Sequence, residues 1–167
     1  MRMWVGVLGG MIYASAGAVM GSMNAGWFGL GREANAMLPW MGVGAALVVF
    51  AFSSSELHAG LRHAGRLGRA TQLLLVIGPI LYVLSWVVEF AILGTLALGV
   101  GLVCLSIAAI RGRLVPSPER VLIVASAVGS LTWNTETLSA FLLVGVGLIW
   151  ALLSVRLLRP KVTVRTG

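Results

Sequence analysis

The sequence predicts an all-α protein, a polytopic membrane bundle of six short transmembrane helices with both termini in the cytoplasm. The chain is 59% hydrophobic and only 10% charged, with a mean hydropathy of +0.99. It therefore lacks the polar surface that a water-soluble domain of 167 residues presents to solvent. Its basic residues fall in small groups between long apolar runs, as in the loops of membrane proteins. We treat residues 1–167 as a single integral membrane domain.

The first two predicted spans are residues 3–22 and 36–52. A helix needs about 20 apolar residues to cross roughly 30 Å of hydrocarbon, and somewhat fewer when the bilayer thins. Both runs meet this requirement, and the polar turn between them contains Arg32, Glu33 and Asn35.

The first segment also has features of a cleaved signal peptide. Arg2 precedes an apolar stretch, and residues 14–16 (Ala-Ser-Ala) have the form of a cleavage site. We favour a retained helix, because the apolar run continues through Val19 and Met20 and because glycines early in the run make a poor signal core.

The third and fourth spans come from one apolar run, residues 73–110, in which only Glu89 is charged. A single helix of that length would be nearly twice as long as the membrane is thick, so the run must reverse. The reversal is predicted near Trp86–Gly94, where the charge lies between a tryptophan and a glycine. This gives spans at 72–89 and 93–110.

The fifth span has a well-marked beginning. Ser117, Pro118 and Glu119 match an N-cap, a proline at the first helical position and an acid in the first turn. The span is predicted at 118–133, and a polar turn separates it from the sixth, at 138–155.

The orientation follows from the cations, because short loops rich in Lys and Arg stay on the cytoplasmic side. With six spans, the termini and the second and fourth loops share one side, which carries eleven of the twelve cations. These are Arg2, Arg62, Arg66, Arg69, Arg111, Arg113, Arg120, Arg156, Arg159, Lys161 and Arg165. Five spans would break this agreement. The composition is rich in Arg and free of Asp, as in proteins encoded by GC-rich bacterial genomes. We therefore expect the chain in the cytoplasmic (inner) membrane of a bacterium.

Each predicted outer turn pairs a tryptophan with a glutamate, and these turns are the first candidate site. Trp86 with Glu89 and Trp133 with Glu136 share the spacing Trp-x-x-Glu, and Glu33 lies in the first outer turn. Three carboxylates beside aromatic rings would attract a cation to the mouth of a transport pathway. We prefer the alternative that the tryptophans anchor the interface and the glutamates solvate short turns.

Pro79 and Tyr82 in the third span are the second candidate site. A proline inside a helix removes a backbone donor, bends the helix and frees a carbonyl, which Tyr82 or Ser85 is placed to serve. Such a kink lines the substrate cavity of some transporters, but a plain kink is our preferred interpretation.

We expect no catalytic residues, no cofactor and no metal. The chain has no Asp and no nucleophile-elbow or metalloprotease motif. His58 and His63 lie five apart in the arginine-rich loop, off one helical face, and Cys104 is the only cysteine. That loop suits anionic lipid headgroups rather than catalysis.

Two hypotheses for function remain. The favoured one is a structural or accessory subunit that packs with itself or with a partner membrane protein. The other is an oligomeric channel or carrier for cations or small solutes, with the outer glutamates and Pro79 as its working parts. Small residues four apart, such as Gly6 with Gly10 and Gly147 with Ala151, form either a dimer face or, as we prefer, ordinary contacts inside the bundle. The expected partners are therefore the lipid bilayer and other membrane protein chains, and not nucleic acid.

Overall fold

The computed structural model describes residues 1–26, 34–53, 55–85, 88–132 and 138–159. Within these ranges the chain is helical between its turns and has no strand, which confirms the predicted all-α class. The seven α-helices of the described ranges are α1 (Arg2–Asn24), α2 (Leu38–Phe52), α3 (Glu56–His63), α4 (Gly65–Val83), α5 (Val88–Arg111), α6 (Ser117–Thr132) and α7 (Leu142–Leu157). Two 3-10 turns, Ala34–Met37 and Leu138–Phe141, lead into α2 and α7 respectively.

Six of these helices form a closed ring in chain order. Helix α1 packs on α2, α2 on α4, α4 on α5, α5 on α6 and α6 on α7, which returns to α1. Neighbours across the closure run antiparallel, since Gly6 lies against Ser154 whereas Gly17 lies against Leu143. The first and last helices of the chain thus complete the bundle together.

Glycine allows α1 and α7 to meet backbone to backbone. A Cβ atom added at Gly10 would lie 2.6 Å from the nitrogen of Ala151 and 2.6 Å from the carbonyl oxygen of Gly147. No larger residue fits there without moving a helix. The small residues four apart in these two helices therefore contact each other inside the bundle, which supports ordinary packing over a dedicated dimer face.

Two apolar clusters fill the ring, one toward each end. The first includes Met20, Met41 and Tyr82, and the second includes Leu105 and Leu153. The second cluster lies among the starts of α4 and α6 and the ends of α2, α5 and α7. The start of α1 lies at the same end, where Gly6 meets Ser154. We call this the basic end, because the described arginines gather there: Arg2, Arg62, Arg66, Arg69, Arg111, Arg113, Arg120, Arg156 and Arg159.

Helix α3 occupies a stretch that the sequence analysis treats as a loop. The Ser55 hydroxyl begins it by accepting a hydrogen bond from the His58 backbone N–H at 3.3 Å. Leu57 and Leu61 are buried in the second cluster, so α3 lies on the basic end with one apolar side inward. Helix α4 starts almost at once because Gly65 adopts a φ of +64°, a conformation that side chains disfavour.

Three described stretches are long and apolar enough to cross a membrane: Arg2–Asn24, Glu89–Arg111 and Ser139–Leu157. A fourth results if α2 and α3, which meet at 81°, count as one bent span. By these criteria the predicted six spans are not established. Helices α2 and α6 have 15 and 16 residues, about 22 to 24 Å at 1.5 Å per residue. Helix α4 is longer but carries Arg66 and Arg69 in its first turns.

The reversal in the long apolar run lies earlier than the sequence predicts. Helix α4 begins at Gly65 and ends at Val83, and α5 begins at Val88, whereas the predicted spans are 72–89 and 93–110. Glu89 consequently lies in the first turn of α5 and not at the end of the preceding helix. The run has nearly uniform hydropathy, so composition alone gives no signal for the residue at which the chain turns.

Candidate functional site

The ring encloses a cavity of about 150 Å³ that extends from the middle of the bundle toward the basic end. All seven described helices contribute to its wall. Most of that wall is aliphatic or aromatic, with Val48, Leu75, Leu102 and Val146 among its members. Apolar cavities of this size stay dry and take up small apolar molecules or parts of larger ones.

Two aromatic rings fix the wall where α2 meets α7. The rings of Phe52 and Trp150 pack edge to face, with centroids 5.8 Å apart and an interplanar angle of 79°. This geometry is the favoured one for aromatic pairs, and it holds both side chains in place. These two side chains form part of the cavity wall near the basic end.

Two hydroxyl groups lie deep in the cavity. Tyr13 of α1 and Ser130 of α6 are both buried and both line the wall. Within the described part of the chain, Ser130 Oγ makes no hydrogen bond of standard geometry, although it is close enough to the Tyr13 hydroxyl to interact with it. A ligand group that can donate or accept a hydrogen bond would find a partner here.

A second polar pair lies near the basic end of the cavity. Gln72 of α4 donates from Nε2 to the backbone carbonyl of His58 at 3.2 Å, and the His58 ring nitrogen Nδ1 is 3.5 Å from the same amide. This contact ties α3 to α4. The hydroxyl of Ser53, at the end of α2, lines the same region and donates to the Phe50 carbonyl at 2.7 Å.

The imidazole of His58 is held toward its neutral form. Partial burial is the main cause and the positive charge of Arg62 the second, and both lower the pKa of His58 below its usual value of 6.5. At neutral pH this side chain therefore offers one hydrogen-bond donor and one acceptor. The sequence predicts His58 to be a solvated loop residue, because only the tertiary contact with Gln72 brings it to the cavity.

Among the predicted site residues, the structure buries Pro79 and Tyr82 side by side. Both pack where α4 meets α2. The closeness of the two helices is shown at Gly42, where an added Cβ atom would lie 2.8 Å from the Pro79 carbonyl oxygen and 2.8 Å from the Tyr82 Cβ. The Tyr82 hydroxyl lies 3.0 Å from Thr95 Oγ1, which itself donates to the Ala91 carbonyl. Tyr82 thus donates to a neighbouring helix rather than serving the carbonyl that Pro79 frees.

Of the three outer glutamates, Glu89 lies in the described part of the chain. Glu89 is exposed in the first turn of α5, and no contact places it beside Pro79 or Tyr82. The other predicted residues, Glu33, Trp86, Trp133 and Glu136, lie outside the described residues. Their role at a cation mouth stays a prediction.

An ion pair that sequence reasoning does not anticipate joins α6 to α7 at the basic end. Glu119 is only 7% exposed, and its Oε1 accepts from Arg156 Nη1 at 3.3 Å. Its other carboxylate oxygen is buried and has no hydrogen-bond partner in the described part of the chain. The sequence identifies Glu119 only as a first-turn acid, because nothing in it shows that α7 ends beside α6.

The described residues contain no group of three His, Cys, Asp or Glu side chains placed to hold a metal ion. The arrangement in the cavity is instead that of a binding site for a mainly apolar molecule, with hydrogen-bonding groups at its deep end and at the basic end. Comparisons of the chain with models of protein families, with characterised proteins and with solved structures found no match. The proposed function therefore rests on the sequence and the structure of this chain.

Proposed function

We propose that the chain is an integral membrane protein of six spans, α1, α2 and α4 to α7, with both ends in the cytoplasm. In this proposal it acts as a small structural or accessory subunit that packs with copies of itself or with a partner membrane protein. It has no enzymatic role. Its location is the cytoplasmic membrane of a bacterium.

The observation that carries the proposal is the separation of charge from apolar surface. Along α5, for example, Ile92, Leu96 and Val100 are exposed, while Glu89 and Arg111 lie in the first and last turns. Apolar side chains in this number are stable on an outer surface only against lipid or another protein. The gathering of the arginines at one end supports the cytoplasmic placement of that end.

The interior supports an accessory role over ion conduction. Among the described residues, the cavity wall includes the imidazole of His58 but no carboxylate, lysine or arginine. A cation pathway normally needs rings of carboxylates or backbone carbonyls. Toward the other end, the buried side chains of Met20, Met41 and Leu143 fill the ring.

The cavity itself favours a second candidate function, an oligomeric carrier for small solutes. The deep hydroxyls of Tyr13 and Ser130 would bind the solute, and the helix carrying Pro79 would move during transport. We rank this below the accessory role because the polar groups of the cavity are few.

The deciding experiment is gentle solubilisation of the tagged protein from its own membranes, followed by native mass determination and identification of companions. We expect a defined homo-oligomer or a stoichiometric second membrane protein. The purified protein in vesicles should show no cation flux. A homo-oligomer without companion, with cation flux that Glu89→Gln abolishes, would replace the accessory role with the carrier. A solitary monomer would contradict both functions.

A further inference from the structure

The cavity-wall residues of α2 and α4 that reach the surface place the opening of the cavity at the side of the bundle, between these two helices. These helices touch toward the end opposite the arginines, where a Cβ atom at Gly42 would lie 2.7 Å from the Val83 backbone nitrogen. Nearer the basic end, residues of both helices line the cavity and also reach the surface: Ser53 is exposed and Val76 is 48% exposed. We call this gap, flanked by Val49, Ser53, Gln72 and Val76, the side opening.

The position of the side opening determines what can enter. If α2 and α4 span a membrane, their flanks face lipid, so a molecule enters from the bilayer and not from water. Beyond the opening the wall is apolar, through Leu75, Leu102 and Leu105. Such a wall accommodates the methylene groups of an acyl chain and disfavours a hydrated ion or a sugar.

The surroundings of the side opening are positively charged. Residues 55–72, which form α3 and the start of α4, contain Arg62, Arg66 and Arg69 and only one acid, Glu56. All three arginines are exposed. Arg62 acts electrostatically on His58, and Arg69 precedes Gln72 by three residues, which places it on the same side of α4. An anionic group at the opening would be stabilised by these cations.

We propose that the cavity binds part of one acyl chain of an anionic membrane lipid, which enters through the side opening from the leaflet at the basic end. The chain packs on the apolar wall. The headgroup stays at the opening, where Gln72 and His58 offer hydrogen bonds and Arg62, Arg66 and Arg69 neutralise its charge. This site rests on the membrane location of the chain but not on the accessory role.

The test measures lipid retention by native mass spectrometry of the whole protein in detergent. The probes are phosphatidylglycerol and phosphatidylcholine with identical acyl chains. We expect one phosphatidylglycerol per chain, retained about tenfold more tightly than phosphatidylcholine. The triple variant Arg62→Gln, Arg66→Gln, Arg69→Gln, which alters only exposed side chains, should reduce phosphatidylglycerol to the level of phosphatidylcholine.

A matched pair of variants tests the side opening. Val76→Trp places an indole in the opening, whereas Ile80→Trp places one a helical turn further along α4, at a position that is 52% exposed and does not line the cavity. We expect Val76→Trp to lower phosphatidylglycerol retention by about tenfold and Ile80→Trp to leave it unchanged. Equal retention in these two variants would overturn the proposal.

Two further measurements keep the test decisive. If Val76→Trp does not fold, the test uses phosphatidylglycerol with a photoreactive group in the first few carbons of its acyl chain instead of this variant. Cross-links to the wall around Leu75 and Leu102 support the proposal, and cross-links confined to outward residues such as Ile92 refute it. Retention of oleate in place of phosphatidylglycerol, with the same arginine dependence, supports the same site with a free fatty acid as the source.

Discussion

Glu119 shows how one side chain can connect two helices at the basic end. It is buried in the first turn of α6 and pairs with Arg156 near the end of α7. The pair is asymmetric, because the Arg156 side chain is 46% exposed whereas that of Glu119 is 9% exposed. Water therefore screens part of the attraction, and the contribution of the pair is smaller than that of a fully buried pair.

Replacing Glu119 with Gln should lower the free energy of unfolding by about 1 kcal/mol, since the charge-assisted hydrogen bond weakens while the shape is kept. The melting temperature in detergent should fall by about 2 to 4 °C for a chain of this size. Glu89→Gln, at an exposed position, is the control and should leave the melting temperature unchanged. Equal melting temperatures for the two variants would show that the ion pair contributes nothing.

His58 should give the protein a measurable pH dependence. Burial and Arg62 lower its pKa in the folded chain below 6.5, so the unfolded chain binds a proton more readily. Stability should therefore decrease as the pH falls below about 6.5, and be recovered as the pH rises.

The measurement is the melting temperature at pH 7.5 and at pH 5.5. The decrease between these conditions should be smaller in His58→Gln than in the parent protein. His63→Gln, on the exposed side of α3, should keep the full decrease. An identical decrease in His58→Gln and the parent would assign the pH dependence to another group.

At the scale of the helices, the closest contact is that of α1 with α7. Gly10 faces backbone atoms of Gly147 and Ala151, and these atoms cannot move aside as a flexible side chain would. Gly145 lies on α7 and is exposed, and a Cβ atom added there would meet nothing within 4 Å. Gly10 and Gly145 are both inside helices, but only Gly10 faces the backbone of a neighbouring helix.

Gly10→Ala should therefore destabilise the bundle by about 1 to 3 kcal/mol, because the added methyl group forces the helices apart. Gly145→Ala should leave stability equal or raise it by up to about 1 kcal/mol, since alanine restricts the unfolded backbone. Unfolding in mixed micelles with increasing denaturing detergent compares the two. A larger loss in Gly145→Ala than in Gly10→Ala would contradict the contact of α1 with α7.

The helices also show which elements the sequence predicts well. As helices, the predicted segments 3–22, 118–133 and 138–155 overlap α1, α6 and α7, because polar turns or a marked N-cap bound them. That all three cross a membrane stays a prediction. The turn between α4 and α5 and the helix α3 are predicted poorly. In the first case the hydropathy is uniform, and in the second the apolar side consists of only two buried leucines, Leu57 and Leu61.

For the whole molecule, the arrangement of charge predicts its orientation. The sole cysteine, Cys104, is replaced by Ser, and single cysteines are then introduced at Ala25, His63 and Arg159. In intact cells a membrane-impermeant maleimide should label Ala25→Cys, and it should label His63→Cys and Arg159→Cys only after permeabilisation.

Labelling of His63→Cys and Arg159→Cys from opposite sides would require an odd number of spans between them. That result would rule out the six-span topology. Labelling of all three positions in intact cells would rule out the cytoplasmic location of the basic end. Arg159→Cys and His63→Cys are both exposed positions, so their accessibility reports the side and not burial.

The sequence by itself determined the helical class, the apolar character and the gathering of arginines at one end, because these depend on composition and on the order of polar and apolar runs. The tertiary structure decided how the helices close into a ring, since sequence spacing does not say that Gly10 meets Gly147. It also decided the cavity. Tyr13, Ser130, His58 and Gln72 come from four separate helices, and only the packing of those helices brings them to one wall.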